Sequence, residues 1–178
     1  MGGMIVQRLA IDHADRLLSM TSVMSHTGEP EYGQASAEAR ALLTAKPAQS
    51  REEYIDNHVA AIDIYGSDPA WPRDEDLRAR AAAAAYDRCF CPAGVGRQMM
   101  AVFTDPPRAD ALREVRLPSL VMHGSRDTLI DPSGGRRTAA LIPGARYVEI
   151  EGMGHDDPPA VWEQWTSTWA EFASTVSV

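Results

Sequence analysis

The stretch LPSLVMHG, residues 117–124, carries no charge, has no helical spacing and lies between Pro118 and Gly124. Such a run suits a strand buried on both faces, as in a parallel sheet. SGGRRTAALIPG (133–144) then reads as a helix stopped by Pro143 and Gly144. ARYVEIEG (145–152) reads as a second strand and AVWEQWTSTWAEFAS (160–174) as a closing helix. Strand, helix, strand, helix is the signature of an α/β unit with a parallel strand pair. In the closing helix Trp162, Trp165 and Trp169 fall at i, i+3 and i+7 and are expected to pack into a core.

The other end supplies one more helix and strand. GMIVQRLAIDHA (3–14) sets Ile5, Leu9 and Ile11 near one helix face, and LLSMTSV (17–23) reads as a short strand before the turn-rich SHTGEPEYG. The texture then changes. ASAEARALLTA, REEYIDNHVAAIDIYG and RDEDLRARAAAAAYDRCF are helical stretches divided by SDPAWP and followed by TDPP. The last of the three is rich in Ala and Arg, both strong helix formers, and its RDED opening sets carboxylates where they favour the helix dipole. The only low-complexity tract is Ala81 to Ala85. The organisation expected is a core of residues 1–25 and 116–178, about three parallel strands in all, interrupted by a helical block over 26–115.

Composition excludes several classes. The net charge is −8, Lys46 is the only lysine, and the arginines are scattered, so no basic patch offers a nucleic-acid surface. No apolar run approaches the roughly 18–20 residues of a membrane helix, and the start lacks a secretory pattern, so a cytoplasmic protein is expected. Cys89 and Cys91, one residue apart, match neither a CxxC redox pair nor a zinc site and read as small buried side chains on a helix.

In open parallel sheets, ligands bind beyond the carboxyl ends of the strands. Asp127 lies a few residues past the first late strand, in HGSRDTLIDP, and His155 past the second, in EGMGHDDP. They are 28 residues apart, about one strand–helix–strand unit, so their loops should be neighbours. A buried carboxylate beside an imidazole fixes its tautomer and stabilises its protonated form, which makes a general base that needs a nucleophile within reach. Gly152 and Gly154 let the histidine loop bend sharply. A metal site at His155, Asp156 and Asp157 is disfavoured, because adjacent residues on one loop rarely converge on one ion.

HGSRDTLIDP resembles the acid-bearing segment of the α/β-hydrolase family, H-G-x-x-D followed by an apolar pair and a proline. GMGH resembles that family's catalytic-histidine loop. The helical block stands where those enzymes carry a lid, and YDRCFCPAGVGRQMMAVFTDPPR is similar to the lid-exit helix of esterase-like members. The resemblance implies that Asp127 is the triad acid and His155 the base. It implies no metal or organic cofactor. It also bears on the opening MGG. The family's nucleophile lies in G-x-S-x-G, often G-x-S-M-G-G, so the chain is expected to start one residue after the serine, with Met1 contributing its backbone N–H to the oxyanion hole.

The departure from the family is the serine itself: no G-x-S-x-G occurs in the 178 residues. Ser125 sits inside the acid loop, Ser22 and Ser25 lie near a strand end, and Ser133 at a helix start; none has elbow context. A fragment or misplaced start, a truncated gene, or a separate upstream polypeptide would each account for this. By itself the chain leaves its early strand with an open edge and is expected to be poorly stable. The leading functional expectation is a serine-dependent hydrolase of a small carboxylic ester, methyl esters first and lactone or haloperoxidase-like chemistry next. Tyr54, Tyr65, Trp71, Tyr86 and Phe90 could line its pocket or equally pack the lid. The alternative is a non-catalytic module that binds a small apolar ligand or a partner subunit.

Overall fold

A computed structural model of the chain describes residues 1–176. The first helix, α1 (Gly2–Asp12), and a 3₁₀ turn at Ala14–Arg16 lead into strand β1 (Met20–Val23). Six helices follow: α2 (Ala37–Leu43), α3 (Arg51–Ala60), α4 (Ile62–Tyr65), α5 (Glu75–Cys89), α6 (Pro92–Thr104) and α7 (Ala109–Leu112). The chain then returns to the sheet through β2 (Ser119–Gly124), α8 (Ser133–Leu141), β3 (Arg146–Ile150) and α9 (Trp162–Ser174). No strand interrupts α2 to α7 among the described residues.

The sheet has three parallel strands in the order β1-β2-β3. The uncharged run takes the centre: all six residues of β2 are buried. Its register sets Met20 opposite Ser119 and Val23 opposite Met122 on one side, and Leu120 opposite Arg146 and Gly124 opposite Ile150 on the other. Successive side chains of a strand point to opposite faces. Leu120 and Met122 accordingly join Ile150, Met153, Val161 and Phe172 in the cluster beneath α9. A second cluster joins Ala10, Met20, Leu112, Val115, Leu141 and Ile142, from α1, β1, α7 and α8.

Three sequence expectations are corrected. The apolar face expected for α1 divides: Ile11 packs against the second cluster, Ile5 and Leu9 are 51% and 39% exposed, and the buried residues are Gly3, Met4, Gln7 and Ala10. The reason is polar. Gln7 is fully buried because its amide accepts from the Arg108 guanidinium and donates to Ser22. Gly3 lies so close to Ser22 and Ser25 that any Cβ would overlap them. The inward stripe of α9 is Trp165, Thr168 and Phe172, continued by Val161 just before the helix; Trp162 and Trp169 stand about a quarter-turn aside, 48% and 56% exposed. Cys89 and Cys91 are both exposed: Cys89 ends α5 and Cys91 caps α6.

Candidate active site

The carboxyl edge of the sheet is where the chain's polar groups converge. Beyond β2 the backbone turns against the loop beyond β3: Ser125 N donates to Ile150 O (3.0 Å) and Arg126 N to Met153 O (2.9 Å). The Ser125 hydroxyl accepts from Gly152 N at 2.9 Å. These bonds hold the acid loop and the histidine loop side by side. The N-terminus of α1 reaches the same edge, because Gly3 abuts Ser22 and Ser25 at the end of β1.

Asp127 is buried and fully engaged. Its Oδ1 accepts from Leu129 N (2.9 Å) and Ile130 N (2.8 Å), which folds the acid loop back on its own carboxylate. Its Oδ2 lies 2.7 Å from His155 Nδ1 and 3.3 Å from His123 Nε2. Burial pushes the Asp127 pKa up, but the two imidazoles and the backbone N–H groups outweigh burial and hold it below the ordinary carboxylate value. An ionised Asp127 requires the His155 proton on Nδ1, which donates to Oδ2. Nε2 is then the nitrogen left to exchange protons with a reactant. The His155 side chain is 24% exposed, so that nitrogen can be reached.

His123, quoted in the acid-loop motif but given no role there, is the third member of this cluster. It is fully buried, and its Nε2 donates to Ile130 O at 2.8 Å. That leaves Nδ1 with no partner among the described residues, against the backbone of Gly135, where any Cβ would overlap the ring. The signal in the sequence was its position, four residues before Asp127 at the end of a buried strand.

The other candidate residues separate. Met1 caps α1 and its carbonyl accepts from Met4 N and Ile5 N; no hydrogen bond joins it to Asp127 or His155 among the described residues. The Ser22 and Ser133 hydroxyls are taken by Gln7 and Gly33 N, and the buried Ser25 hydroxyl has no partner among the described residues. Asp156 turns away from His155, toward Ser67 and Arg78, so His155, Asp156 and Asp157 do not converge on one point.

Of the five aromatics, two reach the histidine loop. The Tyr65 ring stands edge-on to His155 at 6.4 Å, and Trp71 packs where a Gly152 side chain would be. Tyr54, Tyr86 and Phe90 instead pack on one another between α3 and α5, Tyr86 stacked on Phe90 and Tyr54 edge-on to Phe90. A cavity of about 310 Å³ lies beside Asp156 between Trp71 and Trp162, and a groove of about 390 Å³ between α1 and α6; neither is lined by Asp127 or His155.

Residues 1–158 match the family model described as alpha/beta hydrolase fold. A rhodomycin D methylesterase, DauP, from a Streptomyces species is 29% identical over 185 positions, covering 92% of this chain and 61% of that protein. The rhodomycin D methylesterase DnrP of Streptomyces peucetius matches with the same identity and coverage. Among solved structures, a meta-cleavage product hydrolase from Pseudomonas fluorescens superposes with a TM-score of 0.73 at 16% identity, over 97% of this chain and 61% of that one. The chain thus spans about three fifths of the length of these relatives. The family match over residues 1–158, and a parallel sheet whose carboxyl edge gathers the acid and histidine loops, assign the chain to the alpha/beta hydrolase fold family.

Proposed function

We propose that the chain carries the acid–base part of a serine-dependent carboxylic ester hydrolase. The observation that carries this reading is the 2.7 Å hydrogen bond between His155 Nδ1 and a buried, ionised Asp127. In this reading His155 Nε2 takes the proton of a nucleophilic serine as the hydroxyl attacks the ester carbonyl. The imidazolium, stabilised by Asp127, then protonates the departing alkoxide. Water repeats the two transfers to release the acid. No cofactor enters the sequence of steps.

The nucleophile is proposed to be a serine directly preceding Met1 in a longer chain, with the Met1 N–H as one oxyanion donor. The approach of the α1 N-terminus to the carboxyl edge of the sheet supports this. Residues 26–115 are proposed as the lid and residues 1–25 and 116–178 as the core. A methyl ester is the favoured substrate, because the two curated relatives are both named methylesterases.

The test is labelling with a fluorophosphonate of the protein translated from a reading frame extended upstream, followed by methyl-ester hydrolysis. The extended protein is expected to label at one serine. His155→Ala should lower turnover by about a millionfold and Asp127→Asn by roughly ten-thousandfold. Labelling that is indifferent to His155→Ala would end the reading.

A further inference from the structure

The histidine loop is not held by the sheet alone. A short segment of the helical block, residues 65–68, runs along it and meets it residue by residue. Tyr65 O accepts from His155 N at 2.7 Å, and Asp68 N donates to Gly152 O at 2.8 Å. Between these two contacts lies Ser67, which is buried. Its hydroxyl accepts from Gly154 N at 2.9 Å and donates to Asp156 Oδ1 at 2.5 Å, and its backbone N donates to the same carboxylate oxygen at 2.9 Å. Arg78, from α5, holds the other oxygen of Asp156 at 3.1 Å.

One hydroxyl therefore grips the residue before His155 and the residue after it, while the neighbouring carbonyl grips His155 itself. The approach is close enough to dictate sequence. A Cβ at Gly154 would overlap Tyr65 O and the Gly66 backbone, so the loop can lie against the segment only as glycine. Gly152, at φ +78°, takes a left-handed bend that aims the chain into this contact.

We propose that Ser67 is a positioning residue for His155: it bridges Gly154 and Asp156 and so fixes the backbone from which the imidazole reaches Asp127. The role rests on the Asp127–His155 reading above and adds a dependence of that pair on the helical block. Without the hydroxyl, Gly154 N–H is a buried donor with no acceptor and Asp156 loses a partner, so the loop relaxes. The ring then leaves the narrow range in which Nδ1 can donate to Oδ2, although the acid loop, with its own backbone bonds to Asp127, is untouched.

The readout is the low-field proton resonance of a histidine Nδ1–H bonded to a carboxylate, recorded on the upstream-extended protein, with folding followed by circular dichroism. It is expected in the wild-type chain and lost in Asp127→Asn, which assigns it. Ser67→Ala is expected to lose it while the chain stays folded, and Ser67→Thr, which restores the hydroxyl, to keep it. Asp156→Ala removes the other end of the bridge and should also lose it, so the outcome does not hang on one variant's folding. A folded Ser67→Ala or Asp156→Ala chain that keeps the resonance unshifted would overturn the positioning role and leave the Asp127–His155 pair intact. A folded wild-type protein without the resonance would overturn both.

Discussion

The sheet and the helical block are held together by different forces. Every residue of β2 is buried, and α8 turns Gly134, Gly135, Thr138 and Leu141 inward. In the block, α3 and α6 bury no residue and α5 buries only Ala82. For α3 and α5 local signals stand in for burial: Ser50 and Asp74 accept from the N–H groups of Glu53 and Leu77 as N-caps, and acidic residues fill the first turns, while Arg51 pairs with Asp87 from one helix to the other. Local signals make a helix but say little about where it sits. The block's position over the site therefore depends on a few contacts, chiefly Thr128 Oγ1 to Ile64 O, Tyr65 O to His155 N, and the Ser67–Asp156 bridge.

The sharpest way to break this contrast is at Arg108, which follows the block's last long helix yet is only 1% exposed. Its guanidinium binds Gln7, His26 O and Asp105, tying α1 and the turn after β1 to the block's exit. Arg108→Ala takes the donor from Gln7 Oε1 and His26 O, while Asp105 keeps Arg8, and should cost about 1–3 kcal/mol for each acceptor left without its donor, read as a lower urea midpoint. Arg51→Ala, at an exposed pair, should leave the midpoint where it was. An equal loss at both positions would erase the distinction.

Next in size is a pair of truncations. Leu120→Ala, in the fully buried strand, should cost roughly 2–5 kcal/mol. Phe103→Ala, in α6 at 69% exposure, should fall within about 0.5 kcal/mol of wild type in the same titration.

Acid should act on the body before it acts on the site. Burial, then the nearby Arg108 charge, push the His26 pKa from 6.5 down to about 4. Between those values the unfolded chain binds a proton that the folded chain refuses, so stability falls as pH drops through that window and levels off below it. His26→Gln should remove this slope from a plot of unfolding free energy against pH. Asp127 has the same sign in a lower window: its pKa is also depressed by folding, so its contribution is lost only as pH falls below the ordinary 3.8 toward the folded value.

The smallest effect is expected at the caps. Asp74→Ala should cost about 1 kcal/mol, visible as reduced helix content or a small midpoint shift. A larger loss would mean that α5 carries more of the block's stability than its burial implies.

Much of the body is readable residue by residue. An uncharged run between Pro118 and Gly124 leaves little choice but a buried strand, and Pro143–Gly144 ends the helix that follows. Asp127 and His155 stand out because strand ends are where a parallel sheet exposes side chains. What misled the reading was polarity. Counting apolar residues on α1 turns Ile5 and Leu9 inward, but Gln7 goes in because Arg108, 101 residues away, provides its partner. The same error put Trp162 and Trp169 in the core: α9 rotates to seat Phe172 and Val161 beneath β2, and the two indoles are left on the flank.

The amino-acid order by itself determined the strands of the sheet, the helical character of residues 37–104, and the two loops that bear an acid and a histidine, because periodicity, breakers and caps act within a few residues. Only the tertiary structure decided that Asp127 Oδ2 meets His155 Nδ1, that His123 stands behind the carboxylate, and that Ser67 spans the histidine. Those are hydrogen bonds between distant parts of the chain. Their partners are chosen by which buried donor lies nearest which buried acceptor once the sheet and block have packed, and no local pattern records that choice.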